Sequence, residues 1–516
     1  MYRKLYLSAV LELGLESLRK GDNLQMNILI IDIGTSSMRG ILFNEGGQKL
    51  CSCQVKYQPE KRENGWIEQK ASDWIRSLLE ITRSISSQAS DLNFSIDAVA
   101  VTSQRSSILP VDREGVPLMD TIMWQDQRNK EICGRLEQYN DLVAERSGAK
   151  VNTVFSGSRM AWIKEECPEI YKMVHKFVNI PEYVMHEMTG NYYTDYTYGS
   201  RSNLMNLREK RWDPELLKLF GIPERQLCTL LEPGSVTGRV TLSFAERSGL
   251  PEGIPVISAG GDQQCAAVGQ GAYKQGNISI VAGTGGFLIT TVDQAPEGFS
   301  KDMICNSSSV KGKYIIEANV LTCSAAFDWF CAGFYDWKDG KVNYDKINEE
   351  LAKLDGKADD LIALPYFQGR STPKWNPEAK AGFFNMTLAS TRDRMLKALL
   401  ESIFMEIKNN MNEFEKYTEI DRAYISGGMT NSSVLNQLQA DVYGIPLCRL
   451  EDGESASLGA LMISLCSLGV YSGLEEAFEA VRGKEKKEDF YPRKELYDRY
   501  EEKRQKMNGL YEKLYG

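Results

Sequence analysis

Three segments of the 516-residue chain set glycines and hydroxyl side chains against apolar runs. Asp32-Ile33-Gly34-Thr35-Ser36-Ser37 closes the run that begins at Asn27. Ala282-Gly283-Thr284-Gly285-Gly286 interrupts the run from Ile278 to Ile289, and Ser426-Gly427-Gly428-Met429-Thr430-Asn431 follows Ala423 to Ile425. Glycines let a backbone approach closely, exposed N–H groups and hydroxyls donate to phosphate oxygens, and a helix start adds partial positive charge. Together these are the parts needed to hold a nucleotide triphosphate, although any one of them taken singly reads as a structural turn. There is no Walker A lysine motif and no Gly-x-Gly-x-x-Gly opening a helix, so P-loop and Rossmann readings lack support.

Two carboxylates stand beside these clusters. Asp32 ends a buried strand, where a negative charge is expensive unless it meets a cation; Mg²⁺ carried by a nucleotide and met through water is one reading. An aspartate hydrogen-bonded to the hairpin amides is the other. Asp262 follows Gly260-Gly261 at the middle of the chain, where it could accept the proton of a substrate hydroxyl attacking phosphorus, or simply serve a turn. Arg39 and Arg105 follow or end strands and could meet phosphate or hydroxyl groups, or hold strand ends together.

Composition narrows the chemistry further. Histidine occurs only at 175 and 186, which excludes histidine-rich zinc sites and leaves Ser-His-Asp catalysis one short segment to draw on. Eleven cysteines include no Cys-x-x-Cys, so they read as reduced thiols of a cytoplasmic protein. The net charge of −9 argues against a nucleic-acid partner, and no apolar run is long enough for a membrane span.

The elements that must position these residues follow from periodicity. Asn27–Ile33 and Gly40–Phe43 read as a hairpin, a helix begins near Ser72 with Trp74, Ile75, Leu78, Leu79 and Ile81 on one face, and Ala98–Thr102 is a buried strand. Strand and helix continue to alternate, the pattern of an α/β core. The Gly283-Thr284-Gly285 hairpin repeats the Gly34-Thr35 hairpin about 250 residues on, so the chain reads as two similar halves, 26–260 and 261–492. Residues 493–516 read as a solvated helical tail, their charges being nearly balanced. Residues 1–25 read as an extension, with two explanations in balance: a short helix, or a stretch upstream of a natural start at Met26.

From Met26 to about Pro492 the chain resembles the FGGY carbohydrate kinases. The motifs include Asp32-Ile33-Gly34-Thr35-Ser36-Ser37-Met38-Arg39, Gly65-Trp66-Ile67-Glu68-Gln69, Trp124-Gln125-Asp126-Gln127-Arg128 and Thr194-Asp195-Tyr196. They continue with Gly261-Asp262-Gln263-Gln264, Gly283-Thr284-Gly285, Gly369-Arg370-Ser371-Thr372-Pro373, Ser426-Gly427-Gly428 and Glu454-Ser455-Ala456-Ser457-Leu458-Gly459-Ala460. The resemblance implies two actin-like (ribonuclease H-like) ATPase domains with a catalytic cleft between them, and ATP- and Mg²⁺-dependent phosphorylation of a small sugar or polyol. It makes Asp262 the general base and Asp32 the Mg²⁺-linked carboxylate. Thr35, Ser36, Ser37 and Arg39 would surround the phosphates from one domain, Thr284 and Gly285 from the other. Ser324 and Asp328 would touch the nucleotide, with Gly427, Gly428 and Ser432 or Asn431 where adenosine stacks. Arg105, Ser106, Trp124, Val154, Asp262 and Gln263 would line the acceptor pocket. A homo-oligomer is compatible with the family.

Locally the chain is most similar to the glycerol kinases of that family, with two departures. A glycerol kinase has Glu after the arginine at 105 and Tyr before the phenylalanine at 155; here they are Ser106 and Val154. Both changes leave a pocket larger and less polar, so a longer polyol or a ketose is expected in place of glycerol, glycerol kinase itself being the alternative. Arg159 also replaces the family's usual lysine. A non-catalytic nucleotide sensor of the same fold is the second alternative, against which the presence of both Asp32 and Asp262 speaks.

Overall fold

The computed structural model describes residues 25–299, 302–335, 337–338, 341–357, 359–450 and 453–516. The expected N-terminal extension therefore lies, but for its last residue, outside the described residues.

Strands β1 (Asn27–Ile33), β2 (Ser37–Asn44), β3 (Lys49–Lys56), β4 (Ala98–Ser103), β5 (Val236–Arg239) and β6 (Pro255–Gly261) form a sheet in the order β5-β6-β4-β1-β2-β3. A second sheet contains β7 (Asn277–Ala282), β8 (Gly286–Val292), β9 (Ile304–Ser307), β10 (Tyr314–Val320), β11 (Arg422–Ser426), β12 (Leu447–Leu450) and β13 (Lys487–Phe490). Its order is β9-β10-β8-β7-β11-β12-β13. In the first sheet β1, β4 and β6 are parallel and the flanking strands antiparallel. In the second, β7, β11 and β12 are parallel and the rest antiparallel. Thus β3-β2-β1-β4-β6-β5 matches β10-β8-β7-β11-β12-β13 strand for strand and direction for direction, β9 being the addition. The repeated hairpin read in the sequence is the start of a repeated sheet.

The sheets form because β1, β4 and β6 are almost wholly apolar and can be buried on both faces. On one face Leu29, Ile31, Val99 and Val101 meet Trp74, Leu78, Ile81 and Ile85 of α1 (Ala71–Asp91). Those four helix residues repeat at three- and four-residue spacing, the stripe an amphipathic helix needs. Helix α2 (Ser156–Glu166) packs at the edge of the same half. The other face, with Ile28, Ile30, Ala98, Ala100 and Ile257, is covered from later in the chain. Here lie Cys265 and Val268 of α3 (Asp262–Gln270) and Leu461, Met462 and Leu465 of a helix spanning Ser455–Ser467. The first sheet therefore owes one of its faces to residues near position 460, so a cut near Gly260 separates the sheets but not the helices that cover them.

The second half adds α4 (Ser324–Phe334), α5 (Arg392–Phe414), α6 (Ser433–Tyr443), α7 (the Ser455–Ser467 helix), α8 (Leu474–Arg482) and α9 (Lys494–Tyr515). Backbones of α3 and α7 nearly touch: a Cβ on Gly459 would lie 1.8 Å from the Cys265 carbonyl oxygen, and one on Gly269 would lie 2.0 Å from that of Ser455. Only glycine permits that approach. Helix α9 departs from the solvated tail expected of its charge. It buries Tyr500, Met507 and Tyr511, and the Arg370 guanidinium lies 4.2 Å from the Tyr511 ring centre. Charge balance described its outer face; the tyrosines spaced along it make the inner one.

Candidate active site

Register explains how distant residues meet. Asp32 pairs with Thr102 and Ile33 with Ser103 across β1 and β4, while Gly260 and Gly261 pair with the same two residues across β4 and β6. Asp32, Arg105 and Asp262 consequently issue from the carboxyl ends of three adjacent parallel strands, the edge at which open α/β sheets bind ligands. In the second half Val281 pairs with Ser426 across β7 and β11, so the Gly283–Gly285 tip and Gly427-Gly428 also emerge side by side. Gly427, at φ +100°, lies so close to β7 that a Cβ would come within 2.3 Å of the Ala282 carbonyl oxygen.

Around the first tip, Tyr57 donates to the Gly34 carbonyl at 2.8 Å and the Trp124 indole N–H donates to Thr35 Oγ1 at 3.1 Å. Ser37 accepts from Gln54 at 2.9 Å, and Ser36 is exposed. The tip is thereby tied to a residue expected in the acceptor pocket. Arg39 is paired with Glu454, and Ser457, just inside α7, is 3.5 Å from Asp32. At the second tip Thr284 is exposed, and the Ser324 N–H donates to the Gly283 carbonyl at 2.8 Å, which brings the start of α4 against the hairpin. Asp328, one turn along α4, accepts from the Tyr344 hydroxyl at 3.1 Å. Asn431 accepts from Arg449 at 3.0 Å, and Ser432 caps α6 while bonding Asn348. Thus Thr284, Gly285, Ser324, Gly427 and Gly428 gather at one edge, whereas the hydroxyl of Ser432 is already engaged in structure.

The acceptor side is built around Asp262. Its Oδ1 accepts from the Gln263 N–H at 2.7 Å and stands 3.8 Å from Arg105 Nε. The backbone before it is anchored: Thr102 Oγ1 and the Tyr198 hydroxyl each donate to the Gly260 carbonyl at 2.8 Å. The Gly261 N–H donates to Thr197 Oγ1 at 2.9 Å, and Thr197 in turn donates to buried Asp195. Arg105 reaches across to Glu317 on β10 at 2.6 Å, and Arg201 meets the other oxygen of that carboxylate at 3.0 Å. The Arg201 guanidinium also lies 4.4 Å from the Phe155 ring centre. Ser106 is buried at φ +73°, and Val154 is half-buried.

Sequence reasoning missed Glu317, Glu454 and Ser457 as site residues. Glu317 had a signal, the same one that marked Asp32: a lone carboxylate inside the apolar strand Tyr314–Val320. Its partners Arg105 and Arg201 hold it below the usual range, outweighing a burial that alone would push it up.

Burial pushes Asp32 up to about 6, the nearby Asp262 and Glu454 add to the shift, and Arg39 opposes it. Burial also raises Asp262, with Arg105 opposing. A buried carboxylate with one weak side-chain contact, whose charge two further carboxylates oppose, has use for a cation. Among the described residues no three Cys, His, Asp or Glu side chains converge as a resident metal site. Such a donor set suits a divalent cation delivered with a nucleotide better than one held by the protein alone.

The family model for the FGGY family of carbohydrate kinases, N-terminal domain, matches residues 27–269, and that for the C-terminal domain matches residues 278–468. The chain belongs to the FGGY family of carbohydrate kinases. It is therefore a phosphotransferase of two actin-like domains, and ATP is the nucleotide its family uses. This FGGY kinase is 27% identical to the glycerol kinase of Streptococcus uberis over 487 residues, 90% of this chain and 96% of the relative. In fold it is similar to the gluconate kinase of Lactobacillus acidophilus, with TM-score 0.87 and 21% identity over 95% of this chain and 98% of that one. It is also similar to the Plasmodium falciparum glycerol kinase solved with ADP, with TM-score 0.85 and 22% identity over 93% and 97% of the two chains. No helix among the described residues is long and apolar enough to cross a membrane.

Proposed function

We propose that this kinase transfers the γ-phosphate of ATP to a hydroxyl of a polyol or ketose longer than glycerol, with Asp262 as the general base. The observation that carries this reading is that Asp32 and Asp262 leave the carboxyl ends of β1 and β6, the strands on either side of β4, and that Arg105 beside Asp262 is paired with Glu317 of the second sheet. Asp262 would accept the acceptor's proton while Arg105 orients its hydroxyls. Thr35, Ser36, Ser37 and Arg39 would meet the phosphates from one side, and Thr284 and Gly285 from the other. Mg²⁺ bound with ATP would supply positive charge to the phosphates in front of Asp32. Ser324, Gly427 and Gly428 would cradle the nucleoside, with Asp328, Asn431 and Ser432 at its rim. Eleven free cysteines fit a cytoplasmic enzyme.

Acceptor length is argued from Ser106 and Val154, with Trp124 and Gln263 completing the pocket. A site that lacks one hydrogen bond to a small substrate loses about 1–3 kcal/mol, roughly five- to 150-fold. The similarity to named glycerol kinases favours glycerol as the second reading. Coupled ADP release across C3–C6 polyols and ketoses decides between them. A longer acceptor is expected to exceed glycerol at least about tenfold in kcat/KM; glycerol as the best acceptor overturns the length argument. Asp262→Asn in the same assay is expected to lose at least about 100-fold in kcat while still binding ATP, and an active variant removes the base assignment.

A further inference from the structure

We propose that Arg159 is a positioning residue that sets the shape of the acceptor pocket, by holding three separate wall segments through their backbone carbonyls. The proposal rests on the acceptor-pocket reading above. Arg159 lies in the first turn of α2 and is fully buried. Its Nη1 donates to the carbonyls of Ser106 at 3.2 Å and Val154 at 2.6 Å. Its Nη2 donates to those of Trp124 at 2.5 Å and Asp126 at 3.1 Å. Three of these four are residues that the reading above assigns to the acceptor pocket, and they come from three places in the chain. One guanidinium thus fixes the mutual spacing of the loop after β4, the Trp124 segment and the turn entering α2.

Two observations separate this from the ordinary satisfaction of buried carbonyls. Asp126, the carboxylate whose charge acts on Arg159, is itself engaged by Arg128 through both oxygens, whereas the Arg159 guanidinium donates its hydrogen bonds to backbone carbonyls. Moreover, Ser106 is held at φ +73°, a conformation that costs a non-glycine residue about 1–2 kcal/mol. The Arg159 bond to its carbonyl helps hold the residue there. The planar fork matters because four acceptors surround two nitrogens. A lysine offers one nitrogen with three donors and cannot serve all four.

Arg159→Lys tests the role because it keeps the charge and most of the volume. Kinetics with C3 and C5 acceptors are expected to show the acceptor KM raised at least about tenfold, with ATP KM within about twofold. The C5-to-C3 preference is expected to change at least about fivefold, since the walls no longer keep their spacing. Unchanged acceptor KM and preference overturn the proposal. So does a parallel rise of both KM values with a lower unfolding midpoint, the signature of a general structural role. If the lysine variant does not fold, Arg159→Gln replaces it, and if neither folds the residue serves folding and the proposal fails. Hydrogen–deuterium exchange provides a readout independent of turnover. In the folded variant, exchange should quicken together in residues 103–107, 123–127 and 152–156 but not in β7 or β11; unchanged exchange overturns the proposal. Wild-type enzyme inactive on every acceptor overturns the substrate reading alone, and the exchange experiment still decides the role of Arg159.

Discussion

Replacing Asp32 by asparagine should make the free protein more stable while disabling it. Burial and the neighbouring Asp262 and Glu454 raise the Asp32 carboxyl from 3.8 to about 6, so its ionised form is disfavoured in the folded chain relative to the unfolded one. At about 1.4 kcal/mol per pH unit, that difference is worth about 3 kcal/mol, and about 2 kcal/mol once solvent reaching the half-buried carboxylate is allowed for. The sign is that of a folded-state value raised above the unfolded one. The protonated form is no burden below about pH 4, and stability is lost as pH rises through about 6. Asparagine keeps the shape without the charge, so Asp32→Asn should gain about 2–3 kcal/mol at pH 7.5, and the gain should shrink steadily below pH 6. Urea unfolding of both proteins from pH 4.5 to 8, in a chelator without nucleotide, measures the difference. Saturating Mg·ATP should narrow or reverse the ranking, because ligand binding stabilises the folded state of the protein that binds it. Turnover of the variant should fall at least about 100-fold through lost electrostatic stabilisation. No stability gain at pH 7.5, or a gain that is the same at pH 4.5, refutes the view that Asp32 is held charged at a cost for the sake of a cation.

Two other substitutions address the join between the halves. Glu317→Gln leaves Arg105 and Arg201 without the carboxylate that holds them, so Arg105 should fall toward Asp262, 3.8 Å away; steady-state kinetics should show kcat lowered and acceptor KM raised by about tenfold or more, and wild-type values would show the cross-cleft pair to be incidental. Gly459→Ala should gain about 1 kcal/mol from helix propensity yet lose more from forcing α3 and α7 apart, a net loss of about 1–3 kcal/mol in denaturant unfolding; an unchanged midpoint would mean that the contact can open without cost.

How far the sequence foretold this site depends on the range of each signal. Asp32 and Asp262 were visible because a carboxylate at the end of an apolar strand next to glycines is a local anomaly, and local anomalies survive without a structure. The repeated halves were visible because two similar hairpins lie at corresponding places in two similar sheets. Glu317 carried the same local mark as Asp32, but its partners lie 212 and 116 residues away, and nothing in β10 itself says which cations it will meet. Arg159 was harder still. Its partners are backbone carbonyls, which every residue has, so no side-chain pattern could announce them. The covering of the first sheet by α7 likewise depends on a fold-back across two hundred residues, which apolar content permits and only topology selects. Side-chain chemistry at strand ends is thus written locally, whereas the contacts that hold those ends in register belong to the assembled sheet. On the proposed reading, acceptor specificity in this kinase rests both on the side chains at 106 and 154 and on Arg159, whose hydrogen bonds set where those residues stand.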